Sequence, residues 1–224
     1  MQSSRVGDYT IYYDNPEEFR IIKREVFTNH IYYIELEKED PAIIDLGAYI
    51  GDTVLYFKKL YPKSTITAVE PLPENIKLLK KNMEENQLEN VRIVEAAVSN
   101  SQSEIDFYMD SNENGWYTLA GIKDGGWGKQ QKSRKITVAC VTLDDLIESE
   151  VDLLKIDVEG AEEQVLSSSR KLRQVKNIIL EYHPVNGNSE EEVVKILKNS
   201  GFVIEIQDDP EGWGDGLKLI RASR

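Results

Sequence analysis

The chain has 224 residues, 40% of them hydrophobic and 30% charged, which is typical of a soluble globular protein with a core of its own. With 40 acidic and 27 basic residues its net charge is −13, and this charge argues against a nucleic acid partner. The single cysteine, Cys140, excludes an internal disulfide and a cysteine metal site. No run of about 18 apolar residues and no apolar N-terminal core is present, so we expect a cytoplasmic protein without a membrane partner.

Residues 1–40 precede a repeating strand–helix pattern in residues 41–224, and we predict that both parts belong to one domain. Apolar residues at helical spacing predict a helix over Pro16–Val26, with Asn15 as its cap. The aromatic and β-branched residues of His30–Leu36 predict a strand.

Short apolar runs and amphipathic runs alternate from residue 42 onwards. They predict strands at Ala42–Leu46, Ser64–Val69 and Val91–Ala96, and helices at Gly51–Tyr61 and Pro73–Leu88. Strands that alternate with helices over short connections indicate right-handed βαβ units and a parallel sheet.

An insert at about 104–135 interrupts this alternation. A predicted strand at Glu104–Met109 leads into a glycine-rich stretch with Trp116, Tyr117 and Trp127, which is either a flap over the substrate or a packed loop. The pattern then continues with strands at Lys135–Val141, Val151–Ile156 and Asn177–Tyr182, and with helices at Thr142–Ile147, Ala161–Leu166 and Ser189–Lys198. We expect Ser189 and Glu192 to form a capping box. Phe202–Ile206 and Leu217–Arg221 predict an antiparallel hairpin at the end of the sheet.

The stretch from Ile43 to Thr53 reads as a strand, a glycine loop and the start of a helix, which is typical of nucleotide-type cofactor sites. Glu70, nineteen residues after Gly51, can accept hydrogen bonds from ribose hydroxyls at the end of the next strand. The loop carries Asp45 and Asp52 but no lysine. This charge disfavours a phosphate-bearing cofactor such as NAD and favours the cationic S-adenosylmethionine.

Six segments together resemble the FkbM-type methyltransferase family over about residues 40 to 184. They are D-L-G-A-Y-I-G-D-T, A-V-E-P-L-P-E-N, E-A-A-V-S, T-L-D-D-L, D-L-L-K-I-D-V-E-G-A-E and L-E-Y-H-P, in chain order. The resemblance implies a Rossmann-like class I methyltransferase fold. Such a fold is an α/β structure with a seven-stranded, mostly parallel sheet, an antiparallel last strand and helices on both faces.

The resemblance also implies which residues contact the cofactor. Asp45, Gly47, Ala48 and Gly51 would line its methionine part, Glu70 its ribose, and Pro71 and Leu72 its adenine. The contact to the adenine amino group falls near Ala96 and Ala97, where Glu95 or backbone groups would make it. The predicted cofactor-binding residues are Asp45, Gly47, Ala48, Gly51, Asp52, Thr53, Glu70, Pro71, Glu95, Ala96, Ala97 and Asp157.

The candidate catalytic residues follow two strands that we expect to end beside the cofactor. They are Asp157, His183, Glu159, Glu181 and Lys155. The acids or His183 could deprotonate an acceptor. Asp157 and Glu159 could instead stabilise the start of the next helix, and Lys155 could simply pair with an acid. The acids and His183 could also hold a divalent cation, although no dense ligand cluster indicates one and we predict no metal.

The favoured function is O-methylation of a hydroxyl on a small molecule or sugar, to which the family resemblance points. The alternatives are an N-methyltransferase acting on another class of substrate and a cofactor-binding scaffold without catalysis. The sequence leaves the acceptor and the oligomeric state open.

Overall fold

The computed structural model describes residues 1–110, 133–185, 188–208 and 216–224. The described residues form twelve strands: β1 (Gln2–Val6), β2 (Tyr9–Tyr13), β3 (Ala42–Leu46), β4 (Thr65–Val69), β5 (Val91–Val94), β6 (Ala97–Ser99), β7 (Glu104–Asp110), β8 (Ser133–Thr142), β9 (Val151–Ile156), β10 (Val175–Tyr182), β11 (Val203–Asp208) and β12 (Lys218–Ser223). The α-helices described are α1 (Pro16–Ile22), α2 (Asp52–Leu60), α3 (Pro73–Glu85), α4 (Leu143–Leu146), α5 (Glu162–Ser168) and α6 (Glu190–Asn199). The glycine-rich stretch with Trp116, Tyr117 and Trp127 lies outside the described residues.

Seven strands form the large sheet in the order β11-β12-β10-β9-β3-β4-β5. β3 pairs in parallel with both β4 and β9, whereas β12 is antiparallel to β10 and β11. The predicted α/β fold with an antiparallel last strand is therefore confirmed.

Helices cover both faces of this sheet, so its central strands are buried on both sides. Within β3, Ile43 packs into the cluster of apolar residues formed with α2 and α3, and the next residue, Ile44, packs into the cluster formed with α4, α5 and α6. Successive side chains of a strand point to opposite faces, which explains why the whole of β3 is apolar apart from Asp45.

The N-terminal segment contains a hairpin, β1–β2, that the sequence did not predict. Two asparagines, Asn82 of α3 and Asn86 directly after this helix, bond with the free edge of β2 as a partner strand would. Asn82 accepts from the N–H of Tyr12 at 2.7 Å and donates to its carbonyl at 3.1 Å. Asn86 does the same with Thr10, at 2.9 and 2.8 Å. These contacts attach the hairpin to the helix that follows β4.

The predicted strand at His30–Leu36 is wrong, since the chain from residue 29 to residue 41 has no regular structure. His30 has a φ of 55°, which turns the chain, and Tyr32 is buried in the core. The Tyr61 hydroxyl donates to the carbonyl of Ile34 at 2.6 Å and accepts from the N–H of Leu36 at 2.9 Å. The aromatic and β-branched residues of this stretch therefore pack on the core instead of pairing with a strand.

The remaining predicted elements are confirmed, with small changes at their ends. The predicted helix over Pro16–Val26 is an α-helix capped by Asn15 that continues as a π-helical turn over Lys23–Thr28. β6, β8 and β7 form a separate small sheet. Ser189 caps α6, but the Glu192 carboxylate bonds with Lys195 instead of closing a capping box. No helix in the described ranges is long and apolar enough to span a membrane.

Candidate functional site

The candidate site lies where the parallel strands of the large sheet end. Leu46 of β3 pairs with Val69 of β4 and with Ile156 of β9, and Ile156 pairs in turn with Leu180 of β10. The residues that follow these positions meet at one edge of the sheet, which is where ligands bind in open α/β sheets. They are Gly47, Glu70, Asp157 and Glu181, all of them predicted site residues.

The loop after β3 is held against both neighbouring strands. The N–H groups of Gly47 and Ala48 donate to the carbonyl of Val69, each at 3.0 Å. Gly47 has a φ of 78°, and a Cβ at this position would lie 1.9 Å from the carbonyl oxygen of Asp157. Only glycine allows this approach. Tyr49 has a φ of 45°, a conformation that is rare outside glycine and often found at functional sites.

Glu70 follows β4 and is 4% exposed. Its Oε1 accepts from the N–H of Leu72 and from Asn75 Nδ2, and its Oε2 accepts from the N–H of Tyr49, all at 3.0 Å. A carboxylate oxygen accepts about two hydrogen bonds, so Oε2 can take one more from a ligand hydroxyl. Burial raises the pKa of Glu70 to about 7, although these hydrogen bonds and Lys155 act to lower it.

A buried ion-pair network lies beneath the loop. Lys155 of β9 is 1% exposed, and its Nζ donates to the carbonyl of Gly47 at 2.8 Å and lies 3.4 Å from Asp45 and 3.3 Å from Asp157. Thr53 donates to Asp45 at 2.5 Å. Burial lowers the pKa of Lys155, but Asp45 and Asp157 outweigh burial and raise it above its usual value. Lys155 therefore stays charged and joins both acids to the loop.

Three further predicted residues lie at or just before the start of α2, beside this ion-pair network. Asp52 is 5% exposed, and Ala48 and Thr53 are buried as well. Burial raises the pKa of Asp52 to about 7; Lys155 acts against this rise and Asp45 adds to it. Asp52 is therefore a carboxylate whose charge a nearby cation would stabilise.

Asp157, Glu159 and His183 form a second group beside this network. The Nε2 of His183 lies 3.9 Å from an Asp157 oxygen and 3.7 Å from a Glu159 oxygen. Its Nδ1 lies 2.9 Å from Glu162, a fully buried acid that also accepts from Asn188 at 2.5 Å. One oxygen from each acid and one His183 nitrogen lie within 4.8 Å of one another, close enough to share a metal ion.

The charges of this group depend on one another. Burial lowers the pKa of His183, but Glu159 and Glu162 raise it well above its usual value. Burial raises the pKa of Glu159 well above its usual value, while His183 acts against that rise. The pKa values of His183 and Glu159 therefore depend on each other's charge.

Glu181 at the end of β10 has a partner from the N-terminal segment. The Tyr32 hydroxyl donates to Glu181, and the Tyr32 ring lies 5.4 Å from Lys155 Nζ. Burial and the charge of Asp157 raise the pKa of Glu181 to about 8, although His183 lowers it. Burial and Glu181 in turn raise the pKa of Tyr32 well above its usual value.

Sequence reasoning missed Tyr32 and Glu162. Tyr32 was assigned to a strand, and no local signal places it 149 residues away at Glu181. Glu162 stands in the first turn of α5, where any acid is favourable, so its position alone did not distinguish it.

The residues predicted to contact the adenine differ from the rest of the site in their burial. Leu72, Ala96 and Ala97 are buried, whereas Pro71 is partly exposed. The side chain of Glu95 is 53% exposed and pairs with Lys80 at 2.5 Å. The structure thus places Glu95 on the surface, with its charge directed to a lysine of α3.

The site as a whole is strongly acidic. Among the described residues, seven carboxyl groups lie near two cations: Asp45, Asp52, Glu70, Asp157, Glu159, Glu162 and Glu181 with Lys155 and His183. Such a site favours ligands that carry positive charge.

Comparison with known proteins agrees with this geometry. The model of the methyltransferase FkbM domain matches residues 45–204. The 31-O-demethyl-FK506 methyltransferase FkbM of Streptomyces tacrolimicus is 28% identical, over 96% of this chain and 94% of its own. The 2-O-methyltransferase NoeI of Sinorhizobium fredii is 31% identical, over 66% of this chain and 65% of its own.

A solved structure shows the same fold. The methyltransferase FkbM from Methylobacillus flagellatus superimposes with a TM-score of 0.57 at 13% identity, over 82% of this chain and 44% of its own. The family match spans well over half of the chain and includes both the glycine loop and the acids after β9 and β10. The chain therefore belongs to the FkbM family of S-adenosylmethionine-dependent methyltransferases.

Proposed function

We propose that this methyltransferase transfers its methyl group to a hydroxyl oxygen of a small molecule or sugar. The observation that carries the proposal is the group of Asp157, Glu159, Glu181 and His183 at the ends of β9 and β10, directly beside the glycine loop. The group offers proton acceptors where an acceptor hydroxyl would meet the cofactor.

The chemistry of the neighbouring residues fits the cofactor. Asp45 and Asp52 supply negative charge near a sulfonium and an ammonium group, and Glu70 retains room on Oε2 for a ribose hydroxyl. We propose that Gly47 and Ala48 border the methionine part. Bound in this place, the cofactor supplies a methyl group activated by its sulfonium charge.

With the cofactor held by Asp45, Asp52 and Glu70, the acceptor oxygen would form its bond to the methyl carbon as the carbon–sulfur bond breaks, and the bonding electrons would leave with sulfur. The hydroxyl proton passes to a carboxylate of the site. Alignment of the two reactants can supply roughly 7–11 kcal/mol, and a placed base about 10²–10⁴-fold in rate. Both contributions require the acceptor to lie between the glycine loop and the group of acids.

Two relatives support oxygen as the methylated atom, because the names of the Streptomyces tacrolimicus and Sinorhizobium fredii enzymes both specify an oxygen position. The net charge of −13 supports a small acceptor rather than a nucleic acid. Contacts of the N-terminal segment with Glu181 and with α3 support our further proposal that residues 1–224 act as one domain.

The test is the formation of S-adenosylhomocysteine with a panel of sugars, polyketide-like alcohols, catechols and amines. We expect turnover with at least one hydroxyl acceptor and none with its deoxy analogue. Asp157→Asn should lower kcat by about 10²-fold or more. Asp8→Asn, a change at an exposed acid, is the control and should leave kcat unchanged. Turnover of amines alone, or cofactor binding with no turnover of any acceptor, would contradict the proposal.

A further inference from the structure

We infer that Asp157, Glu159 and His183 form a binding site for one divalent cation, which holds an acceptor carrying two neighbouring oxygens. This inference deepens the proposed function and rests on it for the identity of the acceptor. The cation site itself is tested without any acceptor.

The ligand atoms are already close to the required geometry. An Asp157 oxygen and a Glu159 oxygen lie 3.9 and 3.7 Å from His183 Nε2, and the three ligand atoms lie within 4.8 Å of one another. Mg²⁺ and similar ions bind oxygen at about 2.0–2.1 Å, so adjacent ligands of an octahedral site are roughly 3 Å apart. Side-chain shifts of about 1 Å would therefore close the site around an ion.

Glu162 supplies the support that a histidine ligand needs. It is fully buried and lies 2.9 Å from His183 Nδ1, while it also accepts from the N–H of Gly160 at 2.9 Å and from Asn188 at 2.5 Å. Metal-binding histidines commonly donate their second ring N–H to a carboxylate in this way. Glu162 fixes the ring so that Nε2 is directed to Asp157 and Glu159.

The balance of charge also favours a cation here. Lys155 contacts Asp45, Asp157 and the carbonyl of Gly47, and within the described part of the chain Glu159 has His183 as its ion-pair partner. Like charges held together in a buried place destabilise one another. A divalent cation between the acids would relieve this repulsion.

Such an ion also defines the class of acceptor. Three protein ligands leave about three positions of an octahedral ion for other groups. A vicinal diol, or a hydroxyl beside a carbonyl, could occupy two of them. The ion would then lower the pKa of the hydroxyl to be methylated and fix its direction.

The site can be tested by titrating Mn²⁺ into the full chain, without cofactor, and following free Mn²⁺ by electron paramagnetic resonance. We expect one tight Mn²⁺ per chain. Asp157→Asn and Glu159→Gln should each raise its Kd at least about tenfold, and Glu162→Gln should raise it about 10–100-fold. Glu150→Gln, at a surface acid that pairs with Lys38 and Lys176, should leave the Kd unchanged.

Thermal unfolding of each variant, followed by circular dichroism, establishes that a lost Mn²⁺ site does not reflect an unfolded chain. The absence of Mn²⁺ binding at millimolar concentration in the wild type would overturn the inference, as would an unchanged Kd in Asp157→Asn. If a hydroxyl acceptor is methylated at full rate in excess chelator, the inference that the cation holds the acceptor fails and the proposed function stands. If Mn²⁺ binds as expected but only amines are methylated, the cation site stands and the proposed function fails.

Discussion

Affinity for S-adenosylmethionine should depend on pH through Glu70. Burial raises the pKa of this carboxyl to about 7, whereas ribose hydroxyls donate best to its charged form. The cofactor should therefore bind more tightly as the pH rises through 7. Replacing Glu70 by glutamine keeps the shape of the side chain and removes both the charge and its titration.

The size of the effect follows from the fraction of Glu70 that is ionised. With a pKa of about 7, that fraction is about one tenth at pH 6 and about nine tenths at pH 8, so Kd should rise about tenfold from pH 8 to pH 6. Asp52, whose pKa is also about 7, adds a second dependence with the same sign. Glu70→Gln should weaken binding at pH 8 and flatten the part of the profile that belongs to Glu70.

Isothermal titration calorimetry at pH 6, 7 and 8 measures these constants for the wild type, Glu70→Gln and Asp52→Asn. Glu84→Gln, at an exposed position of α3, is the matched control and should reproduce the wild-type profile. A wild-type Kd that does not change between pH 6 and pH 8 would refute the reasoning. So would a Glu70→Gln variant that binds the cofactor as tightly as the wild type at pH 8.

Three further predictions concern stability and turnover. Because its pKa is raised, the Glu70 carboxyl binds its proton more tightly in the folded chain than in the unfolded chain. The free energy of unfolding should therefore fall by about 3 kcal/mol between pH 4.5 and 7. Urea titration without cofactor measures this fall, and Glu70→Gln should remove it. Gly47→Ala should abolish cofactor binding in calorimetry, because the new Cβ would meet a backbone oxygen. The control Gly201→Ala should retain binding, because Gly201 has a similar φ of 93° but no atom near the position of a Cβ. Tyr32→Phe removes the hydroxyl that contacts Glu181, so it should change kcat while the cofactor Kd stays within about twofold. An unchanged kcat would contradict a role of this contact in turnover.

The N-terminal hairpin offers a test of how far the domain extends. Asn82 contacts both Tyr12 and the carbonyl of Ile50, the residue before Gly51. Asn82→Ala leaves these backbone groups without their partner, which should cost about 1–3 kcal/mol of unfolding free energy and weaken cofactor binding. Asn86→Ala, which loses the contacts with Thr10 and with the carbonyl of Asn82, should destabilise the chain and leave the cofactor Kd unchanged.

The local pattern of the sequence was sufficient for most of the fold. β3 and β9 have their predicted bounds, because strands buried on both faces consist mainly of apolar residues. The charged residues of β9, Asp152 and Lys155, are exceptions that form ion pairs. The glycine loop and Glu70 were found from spacing alone, since a strand, a turn and the next strand place them at one edge of the sheet. The acidic loop indicated S-adenosylmethionine, and the family resemblance added the seven-stranded sheet with its antiparallel last strand and the class of enzyme.

Only the tertiary structure decided which distant groups meet. The composition of His30–Leu36 predicts a strand, but the stretch pairs with no strand among the described residues and packs side chains on the core, bringing Tyr32 to Glu181. Many helices begin with an acid, and only the contact with His183 in the folded chain distinguishes Glu162 from these. Sequence patterns report local periodicity, whereas charges, pKa values and metal geometry depend on distances across the fold. The sequence by itself therefore determined the class of enzyme and the cofactor, and the tertiary structure determined how the acids after β9 and β10 share their charge.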